Sequence, residues 1–138
     1  MTQKQDLILL HGALGSKHQF DALTDFLSEK YTVHSLNFEG HGGRKMTKPF
    51  DMETFAEDVV NFMDAYEIEK SNFFGYSMGG YVALNVAKDF PQYVKRIMTQ
   101  FEFAGYYYQY TLEYSLDGKN WEVFADRSKN RIAGSPMI

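Results

Sequence analysis

Between Leu7 and Met98 the chain alternates short apolar runs with amphipathic stretches, and no other feature constrains its fold as tightly. Leu7-Ile8-Leu9-Leu10 is a continuous apolar run closed by His11-Gly12, the pattern of a strand buried on both faces. Ser16 with Gln19 three residues later has the form of a capping box. Beyond it, Phe20, Leu23, Phe26 and Leu27 fall on one helical face. Tyr31 to Phe38 is rich in β-formers and runs into Glu39-Gly40-His41-Gly42-Gly43. Asp51 is placed to cap a second helix, in which Met52, Phe55, Ala56, Val59, Val60, Met63 and Tyr66 keep helical spacing. Ser71 to Phe74 reads as a short strand and Met78 to Lys88 as a third helix that Pro91 ends. Val94 to Met98 reads as a fourth strand. Strand and helix in strict alternation predict an α/β fold: a parallel sheet of about four strands, helices on its faces and right-handed crossovers.

The tail follows another pattern. Residues 100–138 hold nine of the aromatic side chains in a much shorter stretch and contain no convincing helix. Tyr106 to Tyr114 and Trp121 to Ala125 alternate like strands, with Asp117-Gly118 as a strong turn signal between them. An antiparallel β-hairpin is expected there, followed by a polar loop over Arg127 to Arg131. The architecture therefore changes near residues 99–105, dividing the chain into a core, 1–99, and an aromatic-rich hairpin segment, 100–138. Four parallel strands leave open edges, which template aggregation unless covered. The hairpin is expected to pack on the same sheet and add antiparallel strands to it. Exposed edges also make self-association of two chains an expectation.

Composition closes off several functions. The chain has 138 residues, enough for one ordinary domain or two very small ones, and a formal net charge of −4. With 18 acidic against 14 basic residues, it carries no basic footprint for nucleic acid. No apolar run approaches the roughly 18 residues of a membrane span, and none makes a signal-peptide core. The expectation is a cytoplasmic protein. It contains no cysteine, which removes disulfides, thiolate nucleophiles and zinc–thiolate sites. The four histidines, His11, His18, His34 and His41, lack metal-ligand spacing, so no metal or cofactor is expected.

The chemistry is concentrated in Gly75-Tyr76-Ser77-Met78-Gly79-Gly80. A serine between a strand and a helix, with Gly75 and Gly79 two residues to either side, makes a tight, strained turn that lifts the hydroxyl above the strand end. There the helix dipole and free N–H groups favour developing negative charge. His11-Gly12-Ala13-Leu14-Gly15 follows the first strand in the same manner. If its loop lies beside Ser77, the N–H groups of Ala13 and Met78 can share an oxyanion. The plainer alternative is that these glycines merely permit strand-to-helix turns. His11 and His41 are expected to brace their loops.

Together, LILLHGALGS, EGHGGR and GYSMGG make residues 1–98 resemble the N-terminal portion of the α/β-hydrolase superfamily, above all its small esterase, thioesterase and menaquinone-pathway-like members. The resemblance implies Ser77 as nucleophile and Ala13 and Met78 as oxyanion-hole donors, with His11, Gly12, Gly75 and Gly79 shaping the supporting loops. The implied reaction hydrolyses a small ester or thioester through an acyl-enzyme. In this superfamily the acid and the histidine follow the serine. Here every histidine precedes Ser77, so activity is expected to be impaired.

Residues 106–127 resemble a hairpin of discoidin-type (coagulation factor 5/8 C-terminal-like) galactose-binding modules. That likeness implies a carbohydrate-binding function, to which Tyr106, Tyr107, Tyr108 and Trp121 could contribute by stacking, although packing of the hairpin is the expected role of these rings. Two partial resemblances in one short chain point to a chimera, either engineered or recombined. The alternatives to an impaired hydrolase are then a catalytically inactive chimera and, last, a carbohydrate-binding module.

Overall fold

The computed structural model describes residues 4–96, 105–115 and 119–133, within two compact units, Met1–Ile97 and Met98–Ile138. In the first unit, β1 (Gln5–Leu10), β2 (Tyr31–Ser35), β3 (Ser71–Gly75) and β4 (Val94–Arg96) form a parallel sheet in the order β2-β1-β3-β4. Three helices connect them: α1 (Asp21–Leu27), α2 (Met52–Ala65) and α3 (Met78–Asp89). This is the α/β core expected from the alternation.

β1 organises the unit because it pairs on both sides, Leu7 standing opposite Val33 and Asn72, and Leu9 opposite Ser35 and Phe74. Its side chains alternate between two apolar clusters, as strand geometry requires. Leu7 and Leu9 pack with Phe20, Leu23 and Leu27 on the α1 side. Ile8 and Leu10 pack with Phe55, Val59, Met63, Val82 and Val86 from α2 and α3 on the other. Ile8, Leu9 and Leu10 are wholly buried, each worth about 1.5–3 kcal/mol of transfer free energy. Asp51 caps α2 as its position suggests, its carboxylate accepting from the Thr54 N–H at 2.7 Å.

Four local expectations are corrected. Ser16 makes no cap bond; Gln19 is drawn back to the Gly12 N–H, and the segment opens with a 3-10 turn, Lys17–Phe20. Phe26 is exposed, because Phe20, Leu23 and Leu27 already fill the inner face of the short α1. β2 ends at Ser35 rather than Phe38, since the Phe38 N–H bonds the His11 ring and leaves the ladder. Tyr66 follows α2 as its C-cap and points to solvent, and Glu67 after it has φ 55°.

In the second unit β5 (Thr111–Tyr114) and β6 (Glu122–Asp126) pair antiparallel, with Thr111 opposite Asp126 and Glu113 opposite Val123. The polar loop is braced by Asn130, whose side-chain amide donates to the carbonyls of Tyr108 and Ile132. Tyr106, Tyr107 and Trp121 are exposed. Among the described residues these two strands form a two-stranded sheet. The alternation of a strand reveals its faces, not its partner. The Asp117-Gly118 turn, the end of the fourth predicted strand at Ile97 and Met98, and most of the 99–105 boundary lie outside the described residues.

Candidate active site

β3 ends at Gly75, and Ser77 sits between it and α3 with φ 51° and ψ −117°, a conformation that costs a non-glycine residue about 1–3 kcal/mol. Its surroundings leave the chain little alternative. A Cβ on Gly75 would overlap the Gly79 carbonyl, and one on Gly79 would overlap the Leu10 carbonyl at the end of β1. Only glycines let the first turn of α3 sit this close to both strands. The Tyr76 N–H donates to the Leu10 carbonyl at 3.0 Å, which ties the two strand exits together. The Ser77 carbonyl accepts from the Gly80 and Tyr81 N–H groups, at 2.9 and 3.3 Å. Its hydroxyl makes no cap bond, and the residue is exposed.

The loop after β1 runs alongside. Gly12 lies against the Tyr76 ring, and a Cβ there would come within 2.9 Å of it. Residues Gly12 to Gly15 form a β-turn closed by the Gly15 N–H on the Gly12 carbonyl at 3.1 Å, with Leu14 at φ 61°. Among the described residues the N–H groups of Ala13 and Met78 have no intramolecular partner. The sequence-predicted residues Gly12, Ala13, Gly75, Ser77, Met78 and Gly79 are thus gathered where β1 and β3 end, Leu10 standing opposite Gly75.

The histidines have other occupations. His11 is wholly buried, with Nδ1 2.8 Å from the Gly12 carbonyl and Nε2 accepting from the Phe38 N–H at 3.3 Å. The acceptor role of Nε2 places the proton on Nδ1, which donates. Burial holds this ring below the usual histidine pKa; the bond to Gly12 opposes that shift and the neighbouring His41, 5.1 Å away, adds to it. His41 Nδ1 bonds the Glu39 carbonyl at 2.9 Å, and its ring lies among Phe38, Phe50 and Phe55. His18 meets Asp21 and His34 meets Asp6. Among the described residues none of the four rings is hydrogen-bonded to the Ser77 hydroxyl, and no group of ligating side chains could hold a metal.

The loop after β2 is clamped by Glu39. Its carboxylate accepts from the Thr47 N–H, the Thr47 hydroxyl and the Lys48 N–H, and these bonds hold its pKa below the usual carboxylate range. Arg44 fastens the same loop to α2 through both Asp58 oxygens, at 2.8 and 3.0 Å. Three local features were not foreseen in the sequence. Gln19 holds the Gly12 N–H, Asn37 accepts from the Lys17 N–H, and Leu14 takes a conformation nothing in its identity announces.

Residues 7–102 match the alpha/beta hydrolase fold family. The chain belongs to this family. Its relatives there include a probable alcohol acetyltransferase of Wickerhamomyces anomalus, 33% identical over 94 residues that make up 67% of this chain and 28% of that protein. Another is the pimeloyl-[acyl-carrier protein] methyl ester esterase of Neisseria meningitidis, 32% identical over 70% of this chain and 36% of the esterase. Among solved structures, a Pseudomonas aeruginosa hydrolase superposes with a TM-score of 0.65 at 29% identity, covering 70% of this chain and 37% of the hydrolase. A marine microorganism esterase gives 0.65 at 28%, over 69% of this chain and 36% of its own. The chain thus spans roughly a third of these family members. The matches lend no support to a discoidin-type origin of the tail. No helix among the described residues is long and apolar enough to cross a membrane.

Proposed function

We propose that the first unit carries the nucleophile and oxyanion half of a serine acyl-transfer site acting on a small ester or thioester. Ser77 Oγ attacks the acyl carbonyl and surrenders its proton to a base. The carbonyl oxygen becomes an oxyanion between the N–H groups of Ala13 and Met78. The bond to the leaving alcohol or thiol then breaks, leaving an acyl-enzyme that water resolves. The observation that carries the reading is the strained, exposed Ser77 beside two unpartnered N–H donors. The family membership and the esterase and acetyltransferase relatives support the reaction class.

The proton acceptor is the weak part. Both ring nitrogens of His11 are engaged, and no histidine follows Ser77 in this sequence. With the groups of these 138 residues alone, turnover is expected to run several powers of ten below that of a complete triad. That same observation favours a second reading, in which Ser77 is inert and the chain is an inactive joined product. Hydrolysis of p-nitrophenyl acetate by the wild-type chain and by Ser77→Ala, with fluorophosphonate labelling in parallel, decides between the two. Acyl transfer requires slow hydrolysis and labelling, both abolished by the substitution. Equal rates in the two proteins, with no labelling, leave the inert reading standing.

A further inference from the structure

Leu14 combines two costs with no internal return. It occupies the left-handed region at φ 61°, where a bulky side chain is a true outlier and glycine or asparagine sits without strain. Its side chain is also 100% exposed, so the strain is offset by no burial. The turn itself does not need leucine: the closing bond from Gly15 N–H to the Gly12 carbonyl is main-chain to main-chain. Position matters here. Leu14 directly follows Ala13, whose N–H is one of the two unpartnered donors. The half-exposed ring of Tyr76, the residue before Ser77, lies against Gly12. Leu14 follows Ala13 and Tyr76 precedes Ser77, and the protein leaves both apolar side chains uncovered. Strain held at such a place points to function rather than to folding.

Resting on the acyl-transfer reading above, we infer that Leu14 is a specificity residue: its side chain receives the apolar acyl chain of the ester whose carbonyl oxygen lies on the Ala13 and Met78 N–H groups. The bound acyl chain covers one face of Leu14 and Tyr76. Complete burial of a methylene is worth about 0.8 kcal/mol, close to fourfold, so one-sided cover gives about twofold per methylene. Straight-chain acyl groups are favoured accordingly, and charged or hydroxylated ones gain nothing.

The test uses the full chain and two substitutions, Leu14→Gly and Leu14→Asn, both compatible with the left-handed conformation. Ser77-dependent hydrolysis of p-nitrophenyl esters from acetate to octanoate is compared with binding of the carboxylates from acetate to octanoate, followed through the amide shifts of Ala13 and Met78 in labelled protein. Binding needs no turnover. The expected result is a rise of about twofold per methylene in the wild type, flattened in both variants, with the thermal midpoint unchanged or raised. A slope that survives in Leu14→Gly, or its absence from the wild type, overturns the inference. So does a lowered midpoint in both variants, which would give Leu14 a folding role. If the carboxylates show the slope while Ser77→Ala leaves ester hydrolysis unchanged, the acyl-transfer reading fails and Leu14 stands only as a contact for apolar carboxylates.

Discussion

Gly79→Ala is a sharp test of how the site is built, because two opposing effects act at one position. On an exposed helix the change would stabilise by about 0.8–1.0 kcal/mol through helix propensity. Gly79 lies in the first turn of α3, so that gain is its upper limit. Against it stands the new methyl, which would overlap the Leu10 carbonyl and come within 2.7 Å of the His11 carbonyl. Both are backbone atoms of β1 and its exit, locked by pairing to β2 and β3, so no side chain can swing aside. Overpacking of this kind costs about 1–3 kcal/mol even where neighbours adjust, and rigid backbone puts the cost at the upper end or beyond. The net expectation is a loss of about 2 kcal/mol or more, a drop on the order of 10 °C in the thermal midpoint of a unit this size. Gly80→Ala is the internal control. Its methyl would meet only the Gly75 carbonyl at 3.4 Å, an ordinary contact, so the propensity gain survives. Urea and thermal unfolding of both variants measure the difference. Gly79→Ala as stable as the wild type, or Gly80→Ala the more damaging of the two, refutes the close approach of α3 to β1.

Two further outcomes follow from the same geometry. Ser77→Gly removes a non-glycine residue from φ 51° and forfeits no cap bond, so unfolding should show stability unchanged or raised by up to about 1 kcal/mol, with labelling at residue 77 abolished; a clear loss of stability would deny the strain. The depressed pKa of His11 makes the native state prefer the neutral ring. The unfolded chain then takes up a proton first, and stability falls as the pH drops below about 6.5, until the native ring itself titrates. His11→Asn keeps a donor for the Gly12 carbonyl without the titration, so its urea midpoint should vary less between pH 7.5 and 5.5 than that of the wild type.

Much of the first unit was legible because its signals are local and repeated. A continuous apolar run means a strand buried on both faces, and Leu7 to Leu10 has two apolar clusters to fill. Gly75 and Gly79 were legible because small residues two positions either side of a serine have a steric purpose, now visible as backbone contacts. Gln19 was misread for a physical reason. Ser16-x-x-Gln19 satisfies the capping pattern, but a nearer tertiary donor, the Gly12 N–H, takes the amide oxygen. Leu14 was invisible because leucine carries no preference for positive φ; only the geometry of the turn reveals it. The hairpin showed the opposite weakness, its strands being readable and their place in a sheet not.

The position of the site follows from the topology. With the order β2-β1-β3-β4, the chain leaves β1 toward one edge and later leaves β3 toward the other, so these neighbouring strands mark the reversal. Helix α1 packs on one face of β1 and helices α2 and α3 on the opposite face. Loops leaving β1 and β3 therefore start toward opposite faces at this switch point, the place where open α/β sheets bind their ligands. Ala13 and Ser77 stand on those two loops. The proposed oxyanion donors, the N–H groups of Ala13 and Met78, are main-chain groups on loops set by strand register and by glycines, and they ask little of any side chain. A proton acceptor is different: it must be one side chain delivered at hydrogen-bond range, and each histidine here is engaged elsewhere. The two halves of the chemistry are thus physically separable. Binding at the N–H pair should persist at pH values where turnover is negligible, and the amide shifts of Ala13 and Met78 on adding a carboxylate measure the first half without the second.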